Sequence, residues 1–69
     1  MAQVAKIKIE DAGLREAIQA AGTKYRLAKM LGISPASVQT WKRVPVERIV
    51  EIERLTGVAR HLLRPELYS

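Results

Sequence analysis

The chain has 69 residues, no cysteine and one histidine, His61, which means a single domain (residues 1–69) with a small core and neither a disulfide framework nor a multi-histidine or thiolate metal site. Apolar residues are 48% of it, enough for a globular core, yet no run approaches the length of a membrane span. No basic-then-apolar leader opens it, so a cytoplasmic protein with no membrane partner is expected, and the formal net charge of +5 points to an anionic one.

Met1 to Val4 read as a frayed tail. Lys6-Ile7-Lys8-Ile9-Glu10 alternates charged and apolar residues, a strand-like pattern that either pairs with the same segment of a second chain or lies as an extended arm across the helices. Asp11 caps a first helix, whose stripe of Leu14, Ala17, Ile18 and Ala21 recurs at helical spacing until Gly22 stops it. Thr23 caps a second helix with Leu27, Ala28 and Leu31 inward and Gly32 at its end. Ser34 caps a third, with Pro35 at its first position, where a missing N–H costs nothing. This helix is expected to run from about Pro35 to Arg43, with Val38 and Trp41 as inward anchors. Pro45 opens a fourth helix through Val46, Ile49, Val50, Ile52 and Leu55, stopped by Gly57, and Val58 to Leu63 forms one more short helix before Pro65. The expected fold is therefore all-α: a compact bundle of about five short helices joined by short connections.

The charge is unevenly placed. Residues 1–22 balance Lys6, Lys8 and Arg15 against Glu10, Asp11 and Glu16, and residues 44–69 balance Arg48, Arg54, Arg60 and Arg64 against Glu47, Glu51, Glu53 and Glu66. The whole surplus lies in residues 23–43, as Lys24, Arg26, Lys29, Lys42 and Arg43. The same stretch has the spacing of a helix-turn-helix. Two helices crossing at a wide angle through a tight turn need a small residue at the crossing, met by Ala28, and a residue that accepts positive φ in the turn, met by Gly32. Leu27, Leu31, Ile33, Val38 and Trp41 supply the apolar positions around them.

At about 100° per residue, Val38 and Trp41 share the inward side of the third helix while Ala36, Gln39, Thr40 and Arg43 fall opposite. None of those four is acidic or large and apolar. Gln39 can pair with adenine and Arg43 with guanine, each through two hydrogen bonds, and Ala36 and the Thr40 methyl can touch a thymine methyl. These four are the expected base contacts. Phosphates are expected at Thr23 and Lys24, where the second helix begins with free N–H groups, and at Tyr25, Ser37, Lys42 and Arg48, which hold the protein on the duplex without reading sequence. No Ser/His/acid set, phosphate-cradling glycine loop or metal cluster can be assembled, so no catalytic residue, cofactor or metal is expected.

The segment AIQAAGTKYRLAKMLGISPASVQTWKR, followed by VPVERIVEIERLTGVARHLLRPELY, resembles the Cro-like, YdaS-type family of phage and prophage repressors, from about Ile18 to Tyr68. Val44-Pro45, Glu47-Arg48, Ile52-Glu53, Thr56-Gly57, Arg60 and Leu63-Arg64-Pro65 carry its more specific part. The resemblance implies a lambda-repressor-like helix-turn-helix domain that represses transcription, often as a homodimer on a palindromic DNA operator. The dimer surface would be either the Ile7/Ile9 segment or the Leu62–Tyr68 region. Some relatives are antitoxins, so the alternative is an interaction module that neutralises a toxin partner. Relatives often have a longer, Gly-containing basic connection before Val-Pro; here Val44 alone separates Arg43 from Pro45.

Overall fold

A computed structural model describes residues 11–68 of the chain. Its order is α1 (Ala12–Ala21), α2 (Lys24–Leu31), α3 (Pro35–Gln39), a 3₁₀ turn at Val46–Arg48, α4 (Ile49–Thr56) and α5 (Arg60–Leu63), with no strand among the described residues. The expected all-α bundle with a helix-turn-helix is what forms. The strand-like segment and the Ile7/Ile9 dimer surface lie outside the described residues.

The caps are local chemistry. The Asp11 carboxylate accepts from the Leu14 N–H at 2.9 Å, the Thr23 hydroxyl from the Arg26 N–H at 3.0 Å, and the Ser34 hydroxyl from the Ala36 N–H at 3.1 Å. Each such cap is worth about 1 kcal/mol by satisfying a donor the helix leaves free. At the other end of α2, Gly32 takes φ 72° and ψ 29°. That left-handed residue lets the Ile33 N–H donate to the Ala28 carbonyl at 3.0 Å and the Gly32 N–H to Lys29 at 3.2 Å. The chain is thus reversed and Ile33 turned back toward the core, the usual close of a helix by glycine.

The core joins Leu14 and Ala17 of α1, Leu27, Ala28 and Leu31 of α2, Val38 of α3, Val44 of the connection, Ile49 and Ile52 of α4 and Leu63 of α5. No polar or charged residue is buried among the described residues. Ala28 is fully enclosed, the small residue that lets α3 cross α2 closely. On α4 only Ile49 and Ile52 are buried; Val50 and Leu55, and Val46 in the 3₁₀ turn before it, are 50%, 40% and 57% exposed. The reason is helical phase: at about 100° per residue Val46 and Val50 lie to one side of the Ile49/Ile52 face and Leu55 to the other.

One contact fixes α1 on α5. A Cβ built on Gly13 would collide with the Leu63 carbonyl oxygen and lie 2.8 Å from that of Leu62. Backbone therefore packs on backbone there, which only glycine allows. The end of α5 is held from α4: the Glu53 carboxylate accepts from the Arg60 side chain at 2.8 Å and from the Arg60 backbone N–H at 3.2 Å, so it caps a helix that lacks a cap of its own. These bonds from the Arg60 side chain and then its backbone N–H hold the Glu53 carboxyl below its usual value near 4.5.

Two outcomes follow for stability. Gly13→Ala should destabilise the fold by on the order of 2 kcal/mol, because forcing α1 off α5 outweighs the at most roughly 1 kcal/mol that alanine gains over glycine in a helix, less in this first turn. Urea unfolding measures this, and a variant as stable as the parent, or more so, contradicts the close packing. Because the Glu53 carboxyl is lowered in the folded state, its stabilisation is full above about pH 4.5 and disappears as pH falls through the folded value. Glu53→Gln should therefore show a shallower loss of thermal stability on acidification below that point. Parallel pH profiles would mean that the Glu53 charge contributes nothing to the pH dependence of folding.

Candidate nucleic-acid interface

Helix α3 is short and stands out from the body. Of its residues only Val38 is buried, while Pro35, Ala36, Ser37 and Gln39 are exposed. Thr40 follows in helical conformation, with φ −86° and ψ −9°, so Ala36, Gln39 and Thr40 stand at i, i+3 and i+4 and share one outward face. The Thr40 hydroxyl donates to the Ser37 carbonyl at 2.7 Å. Its hydrogen is spent within the turn, which leaves oxygen lone pairs and the methyl group to meet a ligand.

The expected helix from Pro35 to Arg43 is too long. The α-helix ends at Gln39, and two tighter bonds, Thr40 N–H to Ser37 (3.2 Å) and Trp41 N–H to Val38 (3.1 Å), close it. Two constraints stop it. Pro45 disfavours helical backbone at Val44. And Val44 is fully buried with Val38, although a continued helix would set the two about 240° apart. The chain must leave the helix for both side chains to enter one core. In consequence Trp41 is half-buried from the connection rather than from the helix, and Lys42 and Arg43 are exposed residues of a loop. Arg43 does not share the helical face of Gln39, and its guanidinium lies 3.7 Å from the Glu66 carboxylate.

The other expected contact residues are placed as follows. Thr23 and Tyr25 are exposed at the start of α2, with Lys24 half-buried between them. The Lys29 ammonium lies over the Tyr25 ring, 5.7 Å from its centroid, so the two occupy one exposed stripe of α2. Ser37 is exposed beside the outward face of α3. Arg48 is half-buried in the 3₁₀ turn and donates to Glu51 at 3.0 Å.

Charge pairing separates the two halves of the domain. In the C-terminal half Arg48 meets Glu51, Arg60 meets Glu53 and Arg64 meets Glu66. Among the described residues, Lys24, Arg26, Lys29 and Lys42 have no carboxylate within ion-pair distance. Arg26 and Lys29 are exposed members of the basic surface that the contact assignment from sequence omits, although the charge distribution contains them. Arg64 and Glu66 escape sequence reasoning altogether. The Arg64 guanidinium donates to the Val44 carbonyl at 2.8 Å across twenty positions of chain, and nothing local signals such a bond.

No group of three or more His, Cys, Asp or Glu side chains is placed to hold a metal ion among the described residues, and none of their helices is long and apolar enough to cross a membrane. What the surface offers is a protruding helix with a small, polar outer face, beside helix N-termini and unpaired cations.

Comparison with known proteins agrees with this geometry. Residues 14–69 match the family described as "Bacterial toxin YdaS". The chain is 34% identical over 67 residues to the "Putative transcriptional regulator YdaS" of Escherichia coli (strain K12), a match covering 88% of this chain and 68% of that protein. Its fold is similar to that of the Cro protein from the putative prophage element Xfaso 1 in Xylella fastidiosa strain Ann-1, with a TM-score of 0.73 and 33% identity over 84% of this chain and 97% of that one.

Proposed function

The chain belongs to the YdaS family of Cro-like proteins, and from that premise we propose that it is a sequence-specific DNA-binding repressor of transcription that seats α3 in the major groove. The observation that carries this reading is the coincidence of two surfaces. Helix α3, which buries Val38 alone and exposes its other residues, lies in the stretch of chain that holds the whole positive surplus, where Lys24, Arg26, Lys29 and Lys42 have no carboxylate partner among the described residues. A polyanion is drawn to the unpaired charge, and a protruding helix fits the width of the major groove.

Base reading then falls to Ala36, Gln39 and Thr40. Gln39 offers a donor and an acceptor to an adenine edge, while Ala36 and the Thr40 methyl meet thymine methyl groups. Arg43, leaving from the loop after α3, acts at the rim on a phosphate rather than on guanine. Thr23, Lys24 and Tyr25 bring the N-terminus of α2 to a second phosphate, and Ser37 and Lys42 border the same strand. Arg48 acts only by exchanging Glu51 for phosphate. A single module of this size covers a short half-site, so two copies would place their α3 helices about 34 Å apart on a palindromic operator. Exposed Leu62 and Leu67 on the C-terminal segment are the described residues suited to pair the copies. The reading as an antitoxin gains no support: the family description speaks of a toxin, and neither that wording nor the described surface specifies a toxin-neutralising contact.

Selection of bound duplexes from a random pool tests this directly. A defined, palindromic site should be enriched; sequence-blind binding that vanishes with salt would refute it. On the selected site, Gln39→Ala should cost about 1–3 kcal/mol and relax preference at one base pair, whereas Lys24→Ala should weaken all sequences alike and lower the salt slope by about one. Equal effects of both substitutions on specific and random DNA would refute the division between base-reading and phosphate-holding residues.

A further inference from the structure

Three residues, one from the connection after α3 and two from the segment after α5, meet just beyond α3. Arg64 follows α5, is only 11% exposed in its side chain, and donates through Nη1 to the Val44 carbonyl at 2.8 Å. Through Nε it holds the Glu66 carboxylate. The same carboxylate oxygen lies 3.7 Å from Nη1 of Arg43, the residue before Val44. Arg64 is fixed by the core-side backbone, so Glu66 is fixed by Arg64. Arg43 is different: its side chain is 60% exposed, and its contact with Glu66 is long and solvated, of the kind that contributes little and is easily exchanged. Glu66 also accepts from its own backbone N–H, which together with Arg64 and Arg43 lowers its carboxyl below the ordinary range. It therefore stays negative wherever the protein is folded near neutral pH.

We propose that Glu66 is a built-in competitor of DNA phosphate: a fixed carboxylate that occupies Arg43 in the free protein and lowers affinity for every DNA sequence alike. When DNA arrives, the Arg43 guanidinium swings from carboxylate to phosphate. Glu66 cannot follow or withdraw, because Arg64 keeps it at the foot of the arginine, and its charge continues to oppose the backbone. The device sets how tightly the domain holds any duplex without touching the bases that Ala36, Gln39 and Thr40 read. This inference rests on the DNA-binding reading above.

The test compares Glu66→Gln with Glu16→Gln, an equal charge change on α1, using the selected duplex and a random duplex over a range of salt. Glu66→Gln should tighten both by about two- to fivefold more than Glu16→Gln, the factor an exposed ion pair supplies, and steepen the salt slope by up to about one. In an Arg43→Gln background, the same Glu66→Gln change should lose most of its effect, since the two residues act as a pair. If wild type binds but Glu66→Gln matches Glu16→Gln, or binds more weakly while melting normally, the competitor role is overturned and the DNA-binding reading stands. If no form binds a defined site, it is the DNA-binding reading that fails. Should Glu66→Gln prove unstable, Arg43→Gln alone decides: it should reduce the salt slope by clearly less than Lys24→Ala, because its charge is already part-neutralised, and an equal reduction overturns the proposal.

Discussion

Val44 has no regular secondary structure around it, yet its side chain is completely enclosed with Val38, Ile49 and Leu63. Much of the molecule is arranged by that burial. A helix continuing from Val38 would turn Val44 away from the core, so α3 must end at Gln39 and the chain must cross back as a loop. That loop lifts Lys42 and Arg43 off the helical face and delivers Pro45 to the start of the 3₁₀ turn before α4. It also leaves the Val44 carbonyl pointing out of any helix, where Arg64 satisfies it. The buried valine thus determines the length of the projecting helix, the position of the cation after it, and the need for an arginine from the far end of the chain.

Local chemistry made much of this legible in the sequence. Asp11, Thr23 and Ser34 cap the helices that their positions announce, and Gly32 turns with the positive φ that the spacing of Ala28, Gly32 and Val38 requires. The outward trio Ala36, Gln39 and Thr40 follows from helical periodicity, because these residues lie within or directly against the helix. Arg43 was beyond that reach. Its place depends on whether Val44 is buried, and a β-branched residue before a proline reads equally well as a loop or as a helix end. Gly13 looks like a flaw in a helix; its purpose appears only when Leu62 and Leu63 are brought against it. Which apolar residues of α4 are buried is likewise a matter of packing: a helix of eight residues packed on one side buries only the narrow face of Ile49 and Ile52.

The electrostatic organisation is a second layer on this frame. The C-terminal half carries as much charge as the basic stretch, but three of its four arginines are used internally: Arg60 with Glu53 to secure α5, Arg64 with Glu66 to secure the exit of α3, Arg48 with Glu51 at the start of α4. The Arg48–Glu51 and Arg60–Glu53 pairs are partly open to solvent and individually weak. The collective effect of the three pairs is to leave most of the unpaired cations on α2 and the residues after α3, with Arg54 of α4 the exception among the described C-terminal arginines. A domain this small cannot specialise by adding layers of structure; here it does so by neutralising one half of its surface and leaving the other bare.

The claim that α3 and the start of α2 together form the DNA-facing surface is tested most directly by titrating the isotope-labelled protein with the selected duplex and following backbone amide resonances. The largest changes should fall on Thr23 to Arg26, Ser34 to Thr40 and Lys42 to Arg43, with Val50, Leu55 and the neighbouring residues of α4 little affected. Changes centred on α4, with α3 unmoved, would contradict it.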